Sequence, residues 1–100
     1  MEQFLDMLFD WDENKARTNE QKHGISFLEA MTVFGDPNAV LMDDDIHSDE
    51  EDRFILLGLS RQTNLLMVCH CYKDKYDAVR LISARKANSR EEKVYRGVKK

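Results

Sequence analysis

Apolar positions along this chain fall into short blocks whose spacing predicts the elements. Leu8, Phe9 and Trp11 make residues 8–11 apolar and aromatic, which predicts a brief strand. Asp12 is a suitable N-cap for a polar helix over 12–23, and Gly24 supplies a left-handed stop. A second helix is expected from Ser26, where Ser26 and Glu29 have capping-box spacing and Phe27, Ala30, Met31 and Phe34 recur on one face. The turn formers Gly35, Asp36, Pro37 and Asn38 end it. Residues 39–42, 53–60, 65–73 and 78–86 read as four strands, and the four-residue connections 61–64 and 74–77 suit antiparallel hairpins. Asn88 and Ser89 precede a last helix that runs to about Arg96, with Ser89 and Glu92 at capping-box spacing. The order β-α-α-β-β-β-β-α predicts an α+β fold, a small antiparallel meander with two N-terminal helices and one C-terminal helix on one face.

Composition bounds the architecture. A chain of 100 residues forms one domain, 1–100, and residues 1–7 read as an extension that this domain does not need. A hydrophobic fraction of 42% with 34% charged residues excludes disordered and fibrous classes. Cys69 and Cys71 are spaced C-x-C inside an apolar run, so they read as reduced core residues rather than a disulfide or zinc pair. The apolar start carries Glu2 and Asp6 but no basic residue, unlike a signal peptide, and no run reaches the roughly 18 apolar residues of a membrane helix. A cytoplasmic protein without membrane contact is expected.

Charge changes the picture once it is resolved along the chain. The net charge of −4 argues on its face against a nucleic-acid partner. Yet residues 1–72 hold five basic against fifteen acidic residues, a net of −10, whereas residues 73–100 hold ten against four, a net of +6. Seven of the ten residues over 43–52 are acidic, a run expected to form a mobile loop. The basic end is compatible with a polyanion-facing surface.

Candidate chemistry rests on a few cations. Arg53 and Arg80 begin or interrupt apolar strands, where a guanidinium is costly unless it is ion-paired or faces a phosphate or carboxylate. Strand alternation sets Arg80 with Ile82 and Arg85 with Leu81 and Ser83, so Arg80 and Arg85 share a face only if a bulge intervenes or the strand ends early. Lys22 and His23 close the first helix, where the helix dipole alone justifies cations. His23, His47 and His70 are scattered without ligand spacing, so no metal site is expected, and no phosphate-binding glycine loop or nucleophile elbow occurs. No cofactor is expected.

The ordered set Phe9-Asp10-Trp11-Asp12, Lys15, Asn19, Lys22-His23-Gly24-Ile25-Ser26-Phe27, Glu29-Ala30 and Val33-Phe34-Gly35-Asp36 resembles the opening of the BrnT toxins. These are the ribonuclease halves of bacterial BrnT–BrnA toxin–antitoxin pairs. Arg53-Phe54, Gly58, the run from Arg80 through Ile82-Ser83-Ala84-Arg85-Lys86-Ala87, then Glu92 and Tyr95 extend the resemblance over about residues 8–96. It implies a RelE-like fold and RNA cleavage without a metal. On that reading Lys22, His23, Arg53, Arg80 and Arg85 would be the catalytic set, with Lys86 and Tyr95 touching RNA. The resemblance also implies a BrnA-like ribbon-helix-helix antitoxin, through which any DNA contact would be indirect. The competing reading is a non-catalytic interaction module within a transcription-regulating complex.

Overall fold

A computed structural model describes residues 1–44, 52–73 and 78–98. His47 and most of the acidic stretch lie outside the described residues. Strand β1 spans Glu2–Phe4 and β2 spans Met7–Asp10; helix α1 covers Glu13–His23 and α2 covers Phe27–Thr32, continued by a 3-10 turn over Val33–Gly35. Strands β3 (Val40–Asp43), β4 (Phe54–Leu59), β5 (Leu65–Lys73) and β6 (Ala78–Lys86) follow, and α3 spans Ser89–Val98. The six strands make one sheet in the order β1-β2-β6-β5-β4-β3.

Helix ends follow the polar residues that satisfy free backbone groups. Asp12 accepts from the Asn14 and Lys15 amides, and Gly24 closes α1 in the left-handed region at φ 72°. Ser26 caps α2 by accepting from the Glu29 amide at 3.0 Å. Glu29 does not complete a reciprocal box. Its carboxylate reaches across to Ser60 Oγ and Asn64 Nδ2, both at 2.7 Å, and pins α2 to the β4–β5 turn. The box at α3 is shifted by one residue from the expected Ser89–Glu92 pair. Asn88 Oδ1 accepts from the Glu91 amide at 2.9 Å while Glu91 Oε1 accepts from the Asn88 amide at 2.8 Å, and Glu92 instead pairs with Arg96.

Three expectations about the sheet are corrected. The sheet is mixed, because β2 pairs with β6 in parallel through Leu8↔Ala78, Phe9↔Val79 and Asp10↔Arg80. That pairing depends on a partner some 70 residues away, which local pattern cannot encode. Residues 2–4, read as part of an extension, form an edge strand antiparallel to β2. Phe4 stacks under the Arg61 guanidinium at 4.8 Å, which ties this edge to the β4–β5 turn. Finally, the helices do not share one face. The row Leu56–Val68–Ala84 packs with Phe27, Ala30 and Met31 of α2, whereas α3 packs against β4 and its Glu91 grips Arg85, a side chain of the opposite face.

The core lies between the sheet's first face and α2. Phe9, Val33, Leu66, Val68, Val79 and Leu81 are all fully buried or within 1% of it. Each such side chain stabilises the fold by about 1.5–3 kcal/mol relative to exposure. Gly58 lets β4 approach the 3-10 turn, since a Cβ there would stand 2.8 Å from Val33 Cγ1. His70 is fully buried in this core, edge-on to Phe34 at 4.9 Å. Its Nδ1 donates to the Val68 carbonyl at 3.1 Å and burial holds its pKa down, so it is a neutral core histidine.

Helix α1 is held differently. Its buried residue is Asn19, whose Nδ2 donates to the Ala84 carbonyl at 2.9 Å and the Ile25 carbonyl at 3.0 Å while Oδ1 accepts from the Ala84 amide at 3.0 Å. The side chain thus acts as a strand partner for β6 beyond the end of β2. That position sets the end of α1 beside the second face of the sheet.

Candidate active site

Strand register builds the site. Directly opposed residues share a face, so Ile55–Cys69–Ser83 and Leu57–Met67–Arg85 form two rows on the face away from α2. Asp44 donates its amide to the Arg53 carbonyl at 3.0 Å and extends this face toward β3. A bulge in β6 leaves Ile82 as the extra residue between Leu81, opposite His70, and Ser83, opposite Cys69. It reverses the alternation, placing Arg80 and Arg85 on the same face. A cleft of about 480 Å³ opens there, lined by His23, Arg53 and Arg85, by polar Asp44, Cys69 and Ser83, and by an apolar floor that includes Ile55 and Met67.

The electrostatics separate the lining residues into distinct roles. Arg85 donates through Nη1 and Nη2 to the two oxygens of Glu91 at 2.9 and 2.8 Å, a fork that fixes the guanidinium plane. This bond, aided by the Asn88 amide, holds the Glu91 carboxyl below its usual range despite partial burial. Cys69 donates from Sγ to Asp44 Oδ2 at 3.5 Å, and burial together with that carboxylate pushes the thiol up to about 11. It stays protonated near neutral pH and is no nucleophile. Among the described residues, no group of three or more His, Cys, Asp or Glu is arranged to hold a metal ion.

Of the residues expected from the sequence, His23, Arg53 and Arg85 meet in the cleft. Lys22 lies beside it, lining an adjoining groove with His23. Arg80 sits on the same face but its Nη1 donates to Asp10 Oδ2 at 3.0 Å, beside Lys73 Nζ at 2.7 Å. The Lys73 bond, with Arg80 behind it, holds the Asp10 carboxyl low, and the two cations tie β2 to β5 and β6. Lys86 pairs with Leu66 at the strand end and points to the α2 face. Tyr95 is buried and its hydroxyl donates to Asp36 Oδ2 at 2.6 Å; burial, together with that bond, pushes the phenol up to about 12.

The sequence model described as "Ribonuclease toxin, BrnT, of type II toxin-antitoxin system" matches residues 11–91. The chain belongs to the BrnT family. The crystal structure of the Brucella abortus ribonuclease toxin BrnT is similar at 25% identity and a TM-score of 0.62, covering 83% of this chain and 99% of that one. No curated protein matches the chain. For this BrnT relative, no described helix is long and apolar enough to cross a membrane.

Sequence reading missed Asp44, Met67, Cys69 and Ser83 as lining residues. Alternation sets Met67 and Cys69 opposite His70, but nothing local marks which face of a two-sided apolar strand stays open. Asp44 was hidden within the acidic run, although it is 7% exposed and part of the site wall.

Proposed function

We propose that this BrnT relative is a cytoplasmic endoribonuclease toxin that cleaves RNA without a metal ion in the second-face cleft and is neutralised by a BrnA-like ribbon-helix-helix antitoxin. The observation that carries this reading is the convergence of His23, Arg53 and Arg85 over one cleft beside a bulged strand. The antitoxin follows from the family's place in type II systems, and contact with DNA would run through it.

In the proposed reaction the RNA 2′-hydroxyl attacks the adjacent phosphorus, forming a 2′,3′-cyclic phosphate as the bond to the 5′ oxygen breaks. The 2′ proton leaves to a base and the departing 5′ oxygen gains a proton from an acid. His23 is the proton-transfer group, the one imidazole among the residues that line the cleft. Arg53 and Arg85 neutralise charge growing on the phosphoryl oxygens, and Arg85 is pre-aimed by its Glu91 fork. Lys22 stands at the rim as a further phosphate contact. Arg80 acts through the fold by clamping Asp10, and Tyr95 by anchoring α3 on Asp36. Lys86 is exposed on the far face, where it contributes to long-range attraction.

Expression in bacteria tests the reading. The wild-type chain is expected to arrest growth and degrade RNA, and co-expression of the ribbon-helix-helix protein encoded beside it should restore both. Removing one preorganised charge donor of this kind lowers a rate by about 10²–10³, so Arg85→Ala should abolish arrest. Normal growth and intact RNA with abundant folded wild-type protein would refute it.

A further inference from the structure

Helix α1 breaks the usual rule for a helix laid against a sheet. Such helices place apolar residues at i, i+3, i+4 and i+7 toward the protein. Here the inward stripe is Ala16, Asn19 and His23, with Ala16 the single apolar residue of the helix Glu13–His23, and Lys15, Thr18 and Lys22 run exposed beside it. Asn19 is consumed by the backbone of Ala84 and Ile25. Lys15, Thr18 and Lys22 line a groove of about 310 Å³ with Asn14, Ile82 and Ser83.

This groove is continuous with the cleft. His23, Ile82 and Ser83 line both, so the β6 bulge forms the threshold between them. Lys15 and Lys22 are exposed and seven residues apart, about 10 Å along the helix axis, too far to share one phosphate. The Arg17 guanidinium donates to Asn14 Oδ1 and brings another cation to the margin. Thr18 Oγ1 donates to the Asn14 carbonyl at 3.0 Å, leaving its oxygen as an acceptor. Glu13 and Glu20 do not line the groove, and Glu13 is taken up by Trp11 Nε1 at 3.0 Å.

We propose that the groove along α1 is a second subsite that holds the RNA strand flanking the bond cut in the cleft, with Lys15 and Lys22 on separate phosphates. The inference rests on the ribonuclease reading of the cleft. It assigns a substrate to the exposed polar row of Lys15, Thr18 and Lys22, which the packing of Ala16 and Asn19 leaves facing the groove. Single-stranded RNA is the occupant, because a groove with two spaced ammoniums and a hydroxyl acceptor matches a sugar-phosphate chain.

The test uses the full chain and an uncleavable 2′-O-methyl RNA dodecamer, with affinity measured by fluorescence anisotropy over a range of salt. Lys15→Glu should weaken binding about tenfold, and Lys15→Ala should flatten the log K against log salt slope by about 0.7, one single-strand phosphate contact. Lys93→Ala, on the exposed side of α3, should leave both unchanged. Lys15 is exposed, so its variants fold. Affinity and slope unaltered by Lys15→Glu, or no binding by the wild type, would overturn the subsite. The probe cannot be cut, so loss of this inference is distinct from failure of cleavage on ordinary RNA, which would remove the ribonuclease reading instead.

Discussion

The two faces of the central strands carry the same backbone to opposite ends. On the first face Leu56, Val68 and Ala84 stand in one row and are at most 8% exposed, sealed by α2. One residue along, Leu57, Met67 and Arg85 form the next row on the second face, where α3 covers one end and the remainder opens as the cleft. The first face supplies stability and excludes charge, even keeping His70 neutral. The second face holds cations that are partly solvated and oriented by hydrogen bonds. The bulge at Ile82 links them, because it lets β6 present Leu81 and Ala84 to the core while turning Arg80 and Arg85 the other way.

Substitutions on the two faces should therefore separate stability from activity. The largest effect is expected from Leu81→Ala in the sealed face, which removes about 2–5 kcal/mol of unfolding free energy in a denaturant titration. Met67→Ala, on the cleft floor, should lose clearly less; equal losses would break the distinction between the faces. Next comes Asn19→Ala. It strands the buried amide and carbonyl of Ala84, a loss of about 1–3 kcal/mol per orphaned group, and thermal melting should show it although α1 is otherwise polar. Tyr95→Phe removes the bond to Asp36 and should cost about 1 kcal/mol.

The smallest effects are the pH dependences. Tyr95 has its folded pKa raised to about 12, so its contribution is complete below pH 10 and fades as pH rises toward 12. His70 has its folded pKa lowered from 6.5, so the stability it permits is complete above that pH and is lost as pH falls through the folded value. A nuclear magnetic resonance titration should find the His70 ring still neutral at pH 6.5; a ring half-protonated there would contradict the buried, neutral assignment.

Much of the fold was legible because its signals are local. The caps at Asp12, Gly24 and Ser26 sit where short-range hydrogen bonding requires them, and β4, β5 and β6 are long apolar blocks. Strand β1 was not legible. Glu2-Gln3-Phe4 becomes a strand through β2, across a turn in which Leu5 takes φ 57° without the Gly or Asn that would announce it. The parallel pairing of β2 with β6 is a tertiary choice. At the site, the side chains were visible as residue types, and His23, Arg53 and Arg85 do converge. What separates Arg85 from Arg80 is the partner each meets, Glu91 in one case and Asp10 in the other, and neither spacing nor alternation specifies that. The shift of the α3 box from Ser89–Glu92 to Asn88–Glu91 follows the same logic, because Glu91 serves the cap and Arg85 together.

The proposed metal-independent ribonuclease site on the second face is tested most directly by RNA cleavage by purified protein in excess chelator. The wild type is expected to release fragments ending in 2′,3′-cyclic phosphate, and the Arg53→Ala, Arg85→Ala double variant, with its melting transition retained, should release none. Cleavage that appears only on adding a divalent metal, or that the double variant performs at the wild-type rate, would contradict it.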